Sequence, residues 1–410
     1  MIAVGSLSNV PWESHKALGE FIKNLAKKGI TARLVGGVVR DALLSRLVPS
    51  GDFDFAVDAT PDQMIAICFE TGLQVIPTGV SFGTVTCIIE GEPYEITSLR
   101  KDITSDGRKA VVQYTKDWSE DAQRRDLTIN ALYADWDGKY YDPTGMGIED
   151  LNNRYLRFVG DPESRIKEDF LRIIRFFRFM ALFPSAKYEE ETYKLCIKFS
   201  KKLKSISLER KWGELKKIFK SDYPLNAIES LISSKIMSEV CRINWSLNKL
   251  ERSLPWVKNR FNNIFYGLLG SVNQFSIDSN NCIPLKLQKR LEDVFKIKFS
   301  SSLDLQALYW FGKQNYKDAY IRDTITNKPF SEEALKKCNE AIEAIDAVLM
   351  PRFPVSGANL QELGFTPGPA MGDILRETEK WWVESNFTPD FEDCLQRIKQ
   401  LYLGEPLDKI

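Results

Sequence analysis

LVGGVVRDALLSRLVPSGDFDFAV, residues 34–57, is the stretch that decides how the first part of the chain folds. Ala32–Val35 reads as a short apolar strand, Gly36-Gly37 as a tight turn and Val38–Leu47 as a helix. The glycines let backbone approach a ligand closely at a helix N-terminus, where exposed N–H groups favour phosphate. Arg40, one turn in, can reach the same phosphate with a bidentate fork. Plain tight turns use such glycines too, so the turn alone leaves both accounts open. A second strand follows at Phe53–Val57. On it Asp52 and Asp54, two residues apart, project to one face while Phe53 and Phe55 point into the core. Two such carboxylates repel each other unless a cation lies between them; the competing account is a solvated acidic turn. Beside a phosphate site, the pair implies Mg2+-assisted phosphoryl or nucleotidyl transfer.

Outward from this stretch, helix and strand patterns alternate through residue 150. Segment 11–29 is amphipathic, and Thr60-Pro61 opens a helix running to about Glu70, with Thr60 as N-cap. Strands at Thr84–Ile89 and Tyr94–Leu99 flank Glu90-Gly91-Glu92-Pro93, a hairpin pattern. Beyond about residue 155 strand patterns fade. Helical spacing dominates Tyr193–Leu203, Glu209–Lys220, Pro284–Ile297, Asp304–Phe311 and Glu332–Leu349. The expected architecture is therefore α+β. A head with a mixed sheet and helices (1–150) is followed by an all-α neck (151–220), body (221–300) and tail (301–410).

The chain has 410 residues, more than one ordinary core holds. Its seven cysteines are scattered and form no CxxC, which points to reduced thiols in a cytoplasmic protein rather than to zinc or disulfides. No apolar run approaches the ~18 residues that span a bilayer, and the first residues carry no leader pattern, so no membrane partner is expected. A single histidine, His15, is expected on a helix surface. Its isolation excludes Ser–His triads and His-rich metal sites, leaving chemistry to carboxylates, arginines and lysines. Lys+Arg and Asp+Glu balance at 56 each. The balance is uneven along the chain: residues 1–150 sum to −7, 151–220 to +9 and 221–410 to −2. Near-neutrality therefore does not argue against an RNA partner; it predicts phosphate contact confined to one face, with a shallow salt dependence.

Within RIKEDFLRIIRFFRF (165–179), Glu168, Asp169, Arg172, Arg175 and Arg178 interrupt an apolar helix. Such charges are paired with one another, for instance Glu168 with Arg172 at i,i+4, or face a ligand cleft. On one continuous helix Asp169 and Arg172, at i,i+3, share a face and present an acceptor beside a donor fork. Cytosine (N4 donor, N3 acceptor) and adenine (N6 donor, N1 acceptor) match that order, whereas guanine and uracil reverse it. Residues 194–220 carry ten lysines and arginines against Glu209 and Glu214, either a solvated helical face or a surface for RNA phosphates. In FPVSGANLQELGFTPGPAMGDILRETEKWW (353–382) glycines and prolines lead into a helix, as a plain turn or as a phosphate contact. Trp381 and Trp382 are read as core.

The order GGxVRD then DxD resembles the signature of class II nucleotidyltransferases in the polymerase-β superfamily, a family that contains tRNA CCA-adding enzymes and bacterial poly(A) polymerases. The resemblance continues in order: DITSDGR (102–108) is similar to its flexible element, RRDLTINAL (124–132) to its ribose and nucleotide motif, residues 165–179 to its nucleobase-reading helix, and SLERKWGELKKIF (207–219) to its neck motif. Residues 353–382 resemble the tail of bacterial CCA-adding enzymes, which faces the upper part of tRNA. Ser45 stands where the family usually has glycine, and Lys109 where histidine is common; both departures bear on loop geometry. The resemblance implies addition of CCA to a tRNA 3′ end from CTP and ATP, with Asp52 and Asp54 as catalytic metal ligands for Mg2+. It further implies Gly37, Arg40 and Arg125 positioning the nucleotide, with Asp169 and Arg172 selecting the base and Arg175 and Arg178 contacting triphosphate or ribose. Glu95 is a possible third carboxylate. A poly(A) polymerase and a CC-adding enzyme are the rivals within the family. The former tends to carry a strongly basic C-terminal extension, which this chain lacks, and the latter typically lacks the flexible element. A catalytically dead RNA-binding module is the rival outside it, and would be expected to lose Asp52 or Asp54.

Overall fold

Two compact units, Met1–Arg242 and Ile243–Ile410, make up the computed structural model. It describes residues 1–46, 53–105, 110–241, 245–256, 284–298 and 303–403. In the first unit the strands are β1 (Gly5–Ser6), β2 (Ala32–Val35), β3 (Phe55–Val57), β4 (Gln74–Gly79), β5 (Thr84–Ile89), β6 (Glu92–Ser98), β7 (Arg100–Ser105), β8 (Ala110–Tyr114), β9 (Tyr133–Ala134) and β10 (Lys139–Tyr141). Eight of them form one sheet in the order β1-β10-β9-β2-β3-β6-β5-β4, while β7 and β8 form a separate hairpin. Only the central β3–β6 pair of the sheet is parallel, with Phe55 opposite Ile96. All the other pairs of the sheet are antiparallel, and among them β4–β5, β5–β6 and β9–β10 are joined by short connections.

Helices α1 (Lys16–Lys27), α2 (Gly37–Leu43), α3 (Pro61–Glu70), α4 (Trp118–Gln123) and α5 (Gly147–Asn153) accompany this sheet. The expected local chemistry is visible in α3. Thr60 Oγ1 accepts from Gln63 N–H while Gln63 Oε1 accepts from Thr60 N–H, a capping box followed by proline at the first helical position. The hairpin between β5 and β6 closes through Glu90 and Gly91 alone, both at positive φ (52° and 83°), so β6 begins at Glu92 rather than Tyr94. Buried Val35, Ala56, Trp118, Tyr133 and Tyr141, from β2, β3, α4, β9 and β10, form a core cluster.

The helical part of the first unit contains α6 (Pro162–Glu168), α7 (Leu171–Met180), α8 (Glu190–Phe199), α9 (Leu208–Lys220), α10 (Pro224–Ser233) and α11 (Met237–Val240). Two short strands, Tyr155–Leu156 and Lys187–Tyr188, pair in parallel there, a detail that helical periodicity does not reveal. His15 does not lie on a helix surface. It stands at the N-terminal boundary of α1, half-buried, with its ring edge-on to Phe53 at 4.9 Å between centroids.

The second unit is helical among the described residues, with Leu247–Trp256, Leu285–Lys296, Leu305–Asn327, Glu332–Ala347, Gly357–Glu362, Pro369–Glu384 and Phe391–Leu403. Gly312 (φ 76°, ψ 157°) interrupts the long Leu305–Asn327 segment next to Phe311, where helical periodicity ends. Trp382, 2% exposed, packs in a core with Tyr309, Phe353 and Phe387, and Trp381 lies against the same cluster. No described helix is long and apolar enough to cross a membrane.

Candidate active site

The turn after β2 is built on Gly36, whose φ of 75° and ψ of −122° suit glycine alone. Its N–H donates to the Leu132 carbonyl (3.1 Å), and next to it Val35 N–H donates to the carbonyl of Asp54 (3.0 Å). Asp54 thus sits one residue from the turn. Its side chain is exposed while Phe53 and Phe55 are 2% and 1% exposed, the alternation its strand position requires. Phe53 and Tyr94 rings stack at 6.4 Å and Phe55 pairs with Ile96. Register therefore puts Asp54 alongside Glu95, which is exposed on the same face of β6. Asp52 lies outside the described residues, as do Gly107 and Arg108 of the DITSDGR element; β7 and β8 are the two strands on either side of the latter.

Arg40 is 8% exposed and its fork is engaged within the protein. Nε and Nη2 donate to both oxygens of Asp41 (3.0 and 2.8 Å), and Nη1 donates to Asn130 Oδ1 (3.1 Å). Asn130 in turn donates to Asp126 Oδ1 (3.2 Å), so the α2 turn is tied to the RRD segment. There Asp121, fully buried, accepts from Arg124 Nε (2.8 Å), Arg125 Nη2 (2.9 Å) and Tyr133 Oη (2.7 Å). Burial pushes the Asp121 carboxyl up, but Arg125 and Arg124 outweigh it and hold the group well below the usual carboxylate range.

The segment 165–179 is not one helix. It breaks at Asp169, whose backbone is extended (φ −151°, ψ 106°), between α6 and α7. The cause is local: Asp169 Oδ1 accepts from Leu171 N–H (3.1 Å), the side-chain-to-backbone competition that makes aspartate start helices rather than continue them. Arg172 Nη1 donates to the Arg165 carbonyl (2.8 Å), satisfying a group that the end of α6 leaves open, and to Glu168 Oε2 (2.6 Å). The i,i+4 pairing of Glu168 with Arg172 is thus formed, and Asp169 pairs instead with Arg210 of α9 (2.7 Å). Asp169 and Arg172 do not share a helix face as a continuous helix would have placed them. They remain three residues apart across the break.

Farther along α7, Arg175 Nε donates to Asp126 Oδ2 (2.7 Å) and Arg178 Nη1 donates to Glu214 Oε2 (2.8 Å). Arg40, Arg175 and Arg178 all lie over the ring of Phe179, their guanidinium carbons 5.6, 6.0 and 4.4 Å from its centroid. Burial, the adjacent Arg175 and more distant Arg40 pull Arg178 down to about 10 despite Glu214 and Asp126.

Residues 32–157 match the family described as Poly A polymerase head domain, and residues 187–242 that described as Probable RNA and SrmB- binding site of polymerase A. The chain is 32% identical over 385 residues to CCA tRNA nucleotidyltransferase 1, mitochondrial, of Danio rerio, covering 91% of this chain and 88% of that protein. It belongs to the class II CCA-adding tRNA nucleotidyltransferases. The bacterial CCA-adding enzyme of Geobacillus sp. is 31% identical over 386 residues, 89% of this chain and 91% of its own. Among solved structures, the Bacillus stearothermophilus CCA-adding enzyme in complex with CTP shares the fold, with a TM-score of 0.71 at 23% identity over 97% of this chain and 99% of that one.

Nucleotidyltransferases of this fold work with divalent metal ions. Asp54 and Glu95, exposed side by side, are hard oxygen donors of the kind such an ion takes, although the described residues hold no cluster of three or more candidate ligands. Motif reading alone did not assign the partners of these charges in this CCA-adding fold: Asp121, Asp126 and Glu214, which hold the arginines, and Arg210, which holds Asp169. For Asp121 a signal existed, since EDAQRRD (120–126) sets it three and four residues ahead of Arg124 and Arg125. Glu214 meets Arg178 of α7 from 36 residues away and Arg210 meets Asp169 at the break from 41, and no spacing rule reaches that far.

Proposed function

We propose that this protein completes tRNA 3′ ends, adding C, C and A in turn from CTP and ATP without a nucleic-acid template. The tRNA 3′ oxygen bonds to the α-phosphorus of the incoming nucleotide, the bond from that phosphorus to the pyrophosphate oxygen breaks, and the hydroxyl proton is lost. The observation that carries this is the continuity from Asp54 through the Gly36 turn to Arg40, and from Arg40 to the arginine cluster over Phe179. A carboxylate beside a glycine turn at a helix N-terminus, with three guanidinium groups gathered over one ring nearby, suits the metal-bound phosphates of a nucleoside triphosphate.

Asp52 and Asp54 are the proposed ligands for Mg2+, with Glu95 as a further oxygen donor. Bound Mg2+ supplies neutralisation of the developing phosphate charge and acidifies the attacking hydroxyl. Gly37 and Arg40 hold the nucleotide at the turn, Arg125 holds it from the α4 side, and Arg175 and Arg178 balance the triphosphate. Asp169 and Arg172 choose C or A: the carboxylate accepts from the exocyclic amino group while the guanidinium donates to the adjacent ring nitrogen. The exposed lysines of 194–220 are proposed to meet RNA phosphates. The assignment of head, neck, body and tail to 1–150, 151–220, 221–300 and 301–410 belongs to the same proposal, as does a cytoplasmic location. The six described cysteines, buried and without a disulfide among the described residues, fit a reducing compartment; the Danio rerio, Mus musculus and Homo sapiens relatives are named as mitochondrial proteins.

The test is extension of a tRNA lacking its 3′ CCA, with Mg2+ and labelled CTP and ATP together and singly. Three added nucleotides ending in A are expected. Long A tracts would instead assign a poly(A) polymerase, and two C residues without A would assign a CC-adding enzyme.

A further inference from the structure

We infer that Cys68 and Cys87 form a reversible disulfide site, oxidised by peroxide, whose closure slows nucleotidyl transfer. The effect on the reaction rests on the proposed role of Asp52 and Asp54; the site itself does not. Cys68 lies on α3 and Cys87 on β5, both fully buried thiols, with their sulfurs 3.1 Å apart. Backbone fixes this approach. The Cys68 carbonyl accepts from the N–H of Leu73 (2.8 Å), which leads into β4, and Val75 of β4 pairs with Cys87. A disulfide bond is about 2.05 Å long, so the sulfurs need to close by only about 1 Å. The pair is also chemically uneven. A hydrogen bond from Cys87 favours the thiolate at Cys68 and outweighs burial there, whereas the same bond and burial raise Cys87. Cys68 is therefore the attacking sulfur. Burial selects the oxidant. Phe69, next along α3, is 74% exposed, so Cys68 lies one layer beneath solvent. Strand β4 is the edge of the sheet, and its register with β5 shifts between Ile76 and Gly79. Local opening at such an edge admits a molecule little larger than water, such as hydrogen peroxide.

The Cys68 thiolate bonds to one oxygen of hydrogen peroxide, the O–O bond breaks and hydroxide leaves, so that Cys68 becomes a sulfenic acid. The Cys87 sulfur then bonds to the Cys68 sulfur, the S–O bond breaks, and the departing hydroxide takes the Cys87 proton to become water. Two electrons pass from the sulfurs to the peroxide, and a dithiol reductant returns them. The consequence for the site is mechanical. Cys87 pairs across the sheet with Tyr94, and the neighbouring Thr86 pairs with Glu95. The Tyr94 ring stacks on Phe53 at 6.4 Å between centroids, and Phe53 is the residue between Asp52 and Asp54. Drawing β5 toward α3 disturbs that stack and the carboxylates carried beside it. A displacement of about 1 Å is costly where reacting atoms must be aligned.

The full chain, treated with hydrogen peroxide under native conditions, alkylated and digested without reductant, provides the test by peptide mapping. A linked peptide pair holding Cys68 and Cys87 is expected, and dithiothreitol should remove it. Single-turnover CTP addition should slow roughly tenfold in the linked protein and recover with dithiothreitol. Cys68→Ser and Cys87→Ser should keep the untreated rate and lose the response to peroxide. Should neither serine variant fold, the proportion between linked fraction and lost rate in the unsubstituted chain carries the same comparison. Peroxide treatment that leaves Cys68 and Cys87 unlinked, whether unmodified or oxidised singly, overturns the inference. A linked pair with an unchanged rate overturns the effect on the reaction and leaves the disulfide site standing. Failure of the untreated, reduced chain to extend tRNA would remove the proposed function instead, and the peptide map would still decide the disulfide.

Discussion

Asp54 and Asp126 are both carboxylates of the site, yet they do different work because one is exposed and the other buried. Asp54, exposed just before β3, is a proposed metal ligand, so Asp54→Ala is expected to lower kcat for CTP addition by about a hundredfold or more with little loss of fold stability. Single-turnover extension measures the first and a urea melt the second. Asp126 is held by Arg175 and Asn130 at the centre of the arginine cluster. Asp126→Ala strands Arg175 and should destabilise the first unit by about 3–5 kcal/mol. Burial raises the Asp126 carboxyl, but Arg175 and Arg178 outweigh burial and the net shift is downward. A folded-state pKa below the unfolded value of about 4 means stability that is present above that pH. It is lost as pH falls toward the lower folded-state value. Urea midpoints taken from pH 6 down to pH 2 should fall most steeply below about 4 in the wild-type chain, and less so in Asp126→Ala.

Between elements, the break separating α6 from α7 is the feature with most consequence. It turns a run of charged residues into a junction where Arg165 reaches back to the carbonyls of Arg124 and Arg125 (2.5 and 2.6 Å) and Glu168 joins Arg165 to Arg172. The RRD segment and the proposed base-reading segment are therefore one assembly. Asp169→Ala removes both the start of α7 and the proposed acceptor; CTP-over-UTP discrimination should drop by roughly 1–3 kcal/mol, the worth of a paired base contact. Unchanged selectivity would remove its base-reading role. An element far from this junction gives the contrast. Thr60→Ala dismantles the capping box of α3 and should cost about 1 kcal/mol in thermal or urea unfolding, without moving the CTP-to-UTP ratio.

On the scale of the whole molecule, zero net charge conceals a division of labour. The acidic 1–150 segment supplies the proposed metal ligands and Arg40, and the basic 151–220 segment supplies Arg175 and Arg178, the other two arginines over Phe179, and an exposed lysine run that includes Lys201, Lys202, Lys216 and Lys220. Most of the arginines in this segment are spent on carboxylates, so tRNA affinity should fall only shallowly with salt. A slope corresponding to roughly ten or more neutralised phosphates would contradict this. Replacing Lys201 and Lys202 together by alanine should reduce the slope by about 1–2 and weaken all tRNA substrates alike, as filter binding across a salt series would record.

The local features were written in the chain. Alternation around Asp54, the glycine turn, the Thr60 cap and the Glu90-Gly91 hairpin depend on neighbours within a few residues, and each follows from backbone geometry and short-range hydrogen bonding. The order of motifs likewise identified the family. Which charge pairs with which was decided only in three dimensions. The run 165–179 has a helical period throughout, but Asp169 leaves the helix because its side chain competes for a backbone N–H and Arg210 holds it from α9. Asp126 and Glu214 find Arg175 and Arg178 across 49 and 36 residues, at positions where burial makes an unpaired charge too costly to leave. Sequence determined the residue types the chemistry needs; tertiary structure decided their partners, because pairing energy in a low-dielectric cluster depends on distance in space and not along the chain.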